Sequence, residues 1–197
     1  KLLDMKPDPI PEFILIKEFK KLSPDSQEYQ NAYDRVCNHR FVKKIEEEQN
    51  DRGFWSPFHG FSEDMIRKCL SFGLDKNHKC LKRVTEFIIK VLNNEERFDE
   101  SEKQDNIRWW PEMFVPLVCA GMLSIIDEEH EALKIPRKRW ADFVEIAFAK
   151  GYYDKEAESK AQNDYFGFYT KRTIPAFSYY NLMLLAPTEK ERFLSDS

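Results

Sequence analysis

Apolar positions recur at three- and four-residue spacing in several segments, the pattern of amphipathic helices. Tyr29, Tyr33, Val36 and Cys37 share one face, as do Met65, Ile66, Cys69 and Leu70, and then Leu81, Val84, Ile88 and Val91. Phe41, Val42 and Ile45 mark a helix from His39 to Glu48. The stretch from about Glu112 to Ile126 is apolar nearly all round, which predicts a helix buried on every side. Its partner begins near Pro136, carries Trp140, Phe143, Val144, Ala147 and Phe148, and stops at Gly151. Ser23-Pro24 and Ser62 followed by Glu63 and Asp64 read as helix starts, and Gly73 reads as a stop. Pro7, Pro9 and Pro11 favour an extended lead-in over residues 1–22. The polar runs at 93–108 and 154–164 read as connectors. Short turns between helices enforce antiparallel hairpins, placed at about 23–48, 62–92, 112–150 and 173–197. The last is predicted as a helix over 174–185 with Glu189 to Leu194 as a stub of its partner.

The hairpins repeat. Trp55-x-Pro57, Leu70-Ser71 and Asp75-x-x-His78-x-x-Leu81 return as Trp109-x-Pro111, Leu123-Ser124 and Asp127-x-x-His130-x-x-Leu133. The offset shrinks from 54 at the tryptophans to 52 at the histidines. A period of about 50 residues marks stacked units that bury their apolar faces on one another. The expected architecture is all-α, a single array of stacked helix hairpins over residues 23–197.

Composition adds bounds. The chain has 197 residues, 42% hydrophobic and 34% charged, long enough for one sizeable core or one array of small units. A net charge of -4 gives no reason to expect nucleic acid. No run of about 20 apolar residues is present, so no membrane span is expected. Cys37, Cys69, Cys80 and Cys119 read as reduced thiols, in keeping with a cytoplasmic protein.

Gln49-x-x-x-Gly53-x-Trp55, preceded by Phe41-Val42 on a helix, resembles the QW motif of terpenoid cyclases of the squalene–hopene type. That superfamily, which includes protein prenyltransferases, stacks helix hairpins into an α/α toroid. The resemblance implies a partial α/α toroid or solenoid, with Gln and Trp tying one helix end to the next start. It is a resemblance of architecture. The cyclases' Asp-x-Asp-Asp proton donor is absent from the sequence.

Candidate chemistry gathers in the loops that precede two of the helices. Trp55, Phe58 and His59 lie before one, and Trp109, Trp110 and Glu112 before the next, with Tyr179 and Tyr180 on the third hairpin. If the repeat aligns these loops, their aromatic rings form a groove suited to a sugar or isoprenoid, and His59 with Glu112 forms an acid–base pair. The plainer alternative makes the Trp-x-Pro pairs packing wedges between repeats. Asp75/His78, Asp127/His130, His78-x-Cys80 and Cys37-x-His39 carry metal-like residue types. Successive helix layers lie too far apart for one ion, and helical residues two apart do not face each other, so neither a metal nor a cofactor is expected. The favoured function is a scaffold that binds a small molecule or a protein partner in the aromatic groove. The alternatives are an enzyme of the cyclase-like toroid type, or a piece of a larger toroid completed by further hairpins or by a second copy in a homodimer.

Overall fold

The computed structural model describes residues 5–97 and 108–188. Among them every regular element is helical and there is no strand. No helix is long and apolar enough to cross a membrane. The predicted stub at 189–194 and the middle of the first connector lie outside the described residues. The chain divides into two compact units, Lys1–Glu86 and Phe87–Ser197.

The first unit corrects the extended lead-in. Asp8 accepts a hydrogen bond from the Ile10 backbone and Pro9 occupies the first helical turn, so α1 (Pro9–Ile14) forms and continues as a π-helical turn over Leu15–Lys20. At the start of a helix a proline's missing N–H costs nothing and its fixed φ helps. α1 packs on α2 (Gln27–Cys37), where the Phe13 ring meets Tyr29 and Tyr33 at 5.0 and 5.4 Å, and Arg35 pairs with Glu12 at 2.9 Å. α2 is capped by Ser26, not Ser23, whose hydroxyl accepts from Asp25 instead. His39 caps α3 (Arg40–Glu48) through Nδ1. α4 (Glu63–Ser71) and α5 (Lys79–Leu92) follow at the expected places. Ser62 does not cap α4. Its hydroxyl is engaged with the backbone N–H and carbonyl of Trp55.

In the second unit, a π-helical turn over Trp110–Phe114 leads into α6 (Val115–Ile126), buried at ten of its twelve positions as its uniform apolarity predicts. α7 (Lys134–Phe148) buries Trp140, Phe143 and Ala147. The run predicted as a polar connector is α8 (Lys155–Phe166), which packs on α7. Asp154 caps it twice, accepting from Glu156 and Ala157, and its buried face is polar: Glu158 and Gln162. The Gln162 amide donates to the Ile174 carbonyl and accepts from the Ile174 N–H, at 2.8 and 3.1 Å. The last predicted helix is shorter than expected. Residues 174–178 are not helical, Asn181 donates to the Pro175 carbonyl, and α9 (Tyr179–Leu184) packs on α6.

Candidate functional site

Trp55, Phe58 and His59 lie in the first unit, and Trp109, Trp110, Glu112, Tyr179 and Tyr180 in the second. Trp55 is fully buried, and its indole N–H donates to the Ile45 carbonyl at 2.8 Å. That carbonyl belongs to the last turn of α3, where no intrahelical donor exists. Phe58 is also in the core, 6.0 Å from Phe54. His59 is exposed and its Nδ1 lies 2.7 Å from Glu63, whose carboxylate also accepts from the Gly60 N–H. The Gln49 amide donates to the carbonyls of Gly53 and Cys80, both at 2.8 Å, and accepts from Arg83.

Within the second unit the remaining candidates do cluster. Trp109 and Trp110 both meet Phe114 at 5.0 Å, Phe114 meets Tyr180 at 5.7 Å, and Tyr179 stands 5.4 Å from Tyr180. The Trp109 indole N–H is buried with no acceptor, and Arg172 lies over its ring. Glu112 is clamped by two 2.8 Å bonds from Arg108, which hold its carboxyl below its usual range and keep it ionised. It borders a small cavity of about 140 Å³ with Glu131 and Arg139.

The strongest constellation was not assembled from sequence. It lies in the first unit, in an open pocket of about 580 Å³ walled by Tyr29, Tyr33, Cys37, Lys43, Glu46, Asp75, His78 and Lys79. α2 supplies the tyrosines and Cys37, α3 supplies Lys43 and Glu46, and the turn before α5 supplies Asp75 and His78. That turn closes when the His78 N–H donates to the Asp75 carbonyl, and the Asp127–His130 turn closes the same way. The side chains then diverge. His130 Nδ1 caps the next turn by accepting from Ala132, whereas His78 turns into the protein and is only 6% exposed.

His78 bridges two partners. Nδ1 stands 3.0 Å from Cys80 Sγ, and Nε2 stands 3.2 Å from Glu46 Oε1. Lys79 holds the other Glu46 oxygen at 2.7 Å. Cys69 Sγ lies 3.5 Å from Cys80 Sγ on the far side. Burial by itself lowers the His78 pKa, but the Cys37 and Cys80 sulfurs beside the ring carry it up to about 9. Cys80 is brought down to about 6, chiefly by the hydrogen bond from Cys69 and, against burial, by His78. The Cys69 thiol is pushed up and stays protonated, because it donates to Cys80 and is itself buried. These shifts favour a proton on Cys69, none on Cys80 and a charged imidazole on His78.

No family model, no curated protein and no solved structure matches the chain. Among the described residues no group of three or more His, Cys, Asp or Glu is arranged to hold a metal ion. Cys69, Cys80, His78 and Glu46 run in a row instead, each touching the next. Such a row can stabilise a thiolate, store a proton on imidazole and return it, and orient that imidazole through a carboxylate. The Tyr33 hydroxyl is buried on the pocket wall without a hydrogen-bond partner, and its ionisation is pushed up by burial and by the charge of Asp75.

Proposed function

We propose that this chain is a small-molecule-binding helical domain whose ligand site is the first-unit pocket beside His78. The observation that carries this reading is that the imidazole, nearly all of it withdrawn from solvent, is nevertheless part of the pocket wall, with Glu46 and Cys80 fixing both nitrogens. The pocket's size lies within the usual range for small-molecule sites. Two tyrosines, two lysines and two carboxylates around it favour a compact polar ligand with groups of both signs. An acceptor on that ligand would satisfy the Tyr33 hydroxyl.

The test is a thermal-shift screen of sugars, amino acids and isoprenoid diphosphates, with Tyr33→Phe and His78→Gln alongside. A ligand at 100 times its dissociation constant adds roughly 2.7 kcal/mol. A shift present in the wild type and reduced in folded Tyr33→Phe supports the pocket. A shift untouched by either substitution moves the site elsewhere, the aromatic cluster of Trp109, Trp110 and Tyr180 being the next place to look.

One observation favours an enzymatic second reading. Cys37 lines the same pocket as His78 and Glu46. A thiol in a pocket that an imidazole and a carboxylate also line suits acyl transfer from a carbonyl substrate, with Cys37 as the nucleophile. Selective acylation of Cys37 by an activated ester, lost in His78→Gln, would support it.

The partial α/α toroid belongs to the same proposal. The bonds from Gln49 to Gly53 and Cys80 and from Trp55 to Ile45 favour it, because they tie the end of α3 to the loop before α4 and to the start of α5, as the cyclase-type motif ties successive helices.

A further inference from the structure

Cys69 and Cys80 face each other from α4 and the first turn of α5, with sulfurs 3.5 Å apart. Neither is in a disulfide. A disulfide needs about 2.05 Å between sulfurs, so closure asks for a shift of about 1.5 Å between two neighbouring side chains. Cys80 alone of the pair also touches His78, which makes the two sulfurs unequal: one is the thiolate and the other the thiol. That inequality is what a redox-active dithiol requires, an attacking sulfur and a resolving one.

We propose that Cys80 and Cys69 form a redox centre whose oxidant is a hydroperoxide no larger than hydrogen peroxide. The Cys80 thiolate attacks one peroxide oxygen. The S–O bond forms, the O–O bond breaks, and the departing hydroxide takes the proton from the His78 imidazolium to leave as water. Cys69 then attacks the sulfenic sulfur. The S–S bond forms, the S–O bond breaks, and the second hydroxide leaves as water with the Cys69 proton. Two sulfurs are oxidised, one peroxide is reduced to two waters, and His78 ends neutral. Cys69 and Cys80 are 0% and 1% exposed, so any oxidant must enter through a transient opening of the core, which the smallest hydroperoxide passes far more readily than a bulky disulfide such as oxidised glutathione. The ligand pocket proposed above is not needed for this chemistry.

The test treats the full chain with stoichiometric hydrogen peroxide, tert-butyl hydroperoxide or oxidised glutathione, quenches by alkylation under denaturing conditions, and maps the four cysteines by mass spectrometry. Hydrogen peroxide is expected to join the Cys69 and Cys80 peptides at least tenfold faster than it oxidises Cys119. The rate should rise with pH around a midpoint of about 6, level off, and fall again above about 9 as His78 loses the proton that the departing hydroxide takes, and the two larger oxidants should leave the pair reduced. In Cys69→Ser the reaction should stop at a Cys80 sulfenic acid that dimedone captures when the chain is denatured in its presence, and His78→Gln should slow it at least tenfold. Oxidation of Cys80 no faster than Cys119, or a disulfide to Cys37, overturns the proposal. The wild-type peptide map decides even if a variant fails to fold.

Discussion

The Trp55 indole N–H donates to the Ile45 carbonyl across 2.8 Å inside the first unit's core. The bond joins the end of α3 to the loop before α4, and it satisfies a carbonyl that the helix cannot satisfy for itself. Trp55→Phe keeps an aromatic ring and removes the donor. Leaving a buried carbonyl unpaired costs about 1–3 kcal/mol. Urea denaturation should show a lower midpoint with an unchanged slope. A midpoint equal to wild type would mean that Ile45 finds another donor.

Gly53 stands where no side chain fits. Its φ is +92°, and an added Cβ would lie 2.6 Å from the Arg83 carbonyl oxygen. Gly53→Ala is expected to destabilise the chain by about 2 kcal/mol or more, from backbone strain and the clash together. Gly60 supplies the control: its φ is +89°, but nothing lies within 4 Å of its added Cβ. Gly60→Ala should therefore cost less. Equal costs would show that strain alone matters at both places.

The His78–Cys80 pair makes a prediction about pH. His78 is raised from 6.5 to about 9, so its contribution is complete below 6.5 and is lost as pH rises through 9. Cys80 is lowered from 9.0 to about 6, so its contribution is complete above 9 and is lost as pH falls through 6. The two slopes oppose each other across nearly the same window, because folding moves a proton from sulfur to imidazole without net uptake. Wild-type stability from this pair should be flat from pH 6.5 to 9. Cys80→Ser removes the Cys80 slope and part of the rise at His78, so that stability should then fall as pH rises through that window, by less than an intact His78 shift would give. A wild-type curve already carrying a single histidine-like slope would contradict the shared proton.

Glu158 has the opposite problem. Its side chain is fully buried, Tyr153 donates to it at 2.7 Å, and burial pushes its pKa up. The folded chain then holds the proton to higher pH than the unfolded chain does, so stability declines as pH rises above the usual carboxylate range. Glu158→Gln keeps an oxygen for Tyr153 and removes the charge. Its melting temperature should exceed the wild type's at pH 7, with the advantage gone at pH 4. A variant less stable than wild type at pH 7 would show that the charge is favourable where it sits.

The contrast between α6 and α8 shows what the sequence made legible. α6 could be read because ten buried positions leave no polar face to confuse it. α8 was hidden because it turns polar residues inward: Glu158 and Gln162 are its buried ones, so no apolar stripe marks it, although Asp154 stands as an ordinary cap. The prolines near the N-terminus suit an extended chain as well as a helix start, and only the Asp8 cap distinguishes the two. The spacing of His78 and Cys80 argues against a contact, because helical residues two apart diverge. His78 precedes the first residue of α5, however, and in the turn that rule does not apply. The third partner, Cys69, comes from another helix, and Glu46 from a third. Their meeting is a fact of packing that spacing does not carry.

Gln162 grips Ile174 with both ends of its amide, as a neighbouring strand would grip it with a peptide group. Ile174 lies in a stretch without regular structure, where backbone protons ordinarily trade with solvent quickly. Here the trade must wait for α8 to loosen. In deuterium exchange the Ile174 amide should keep pace with the helix and not with its own irregular neighbours, so that a single glutamine sets the opening rate of a segment twelve residues away.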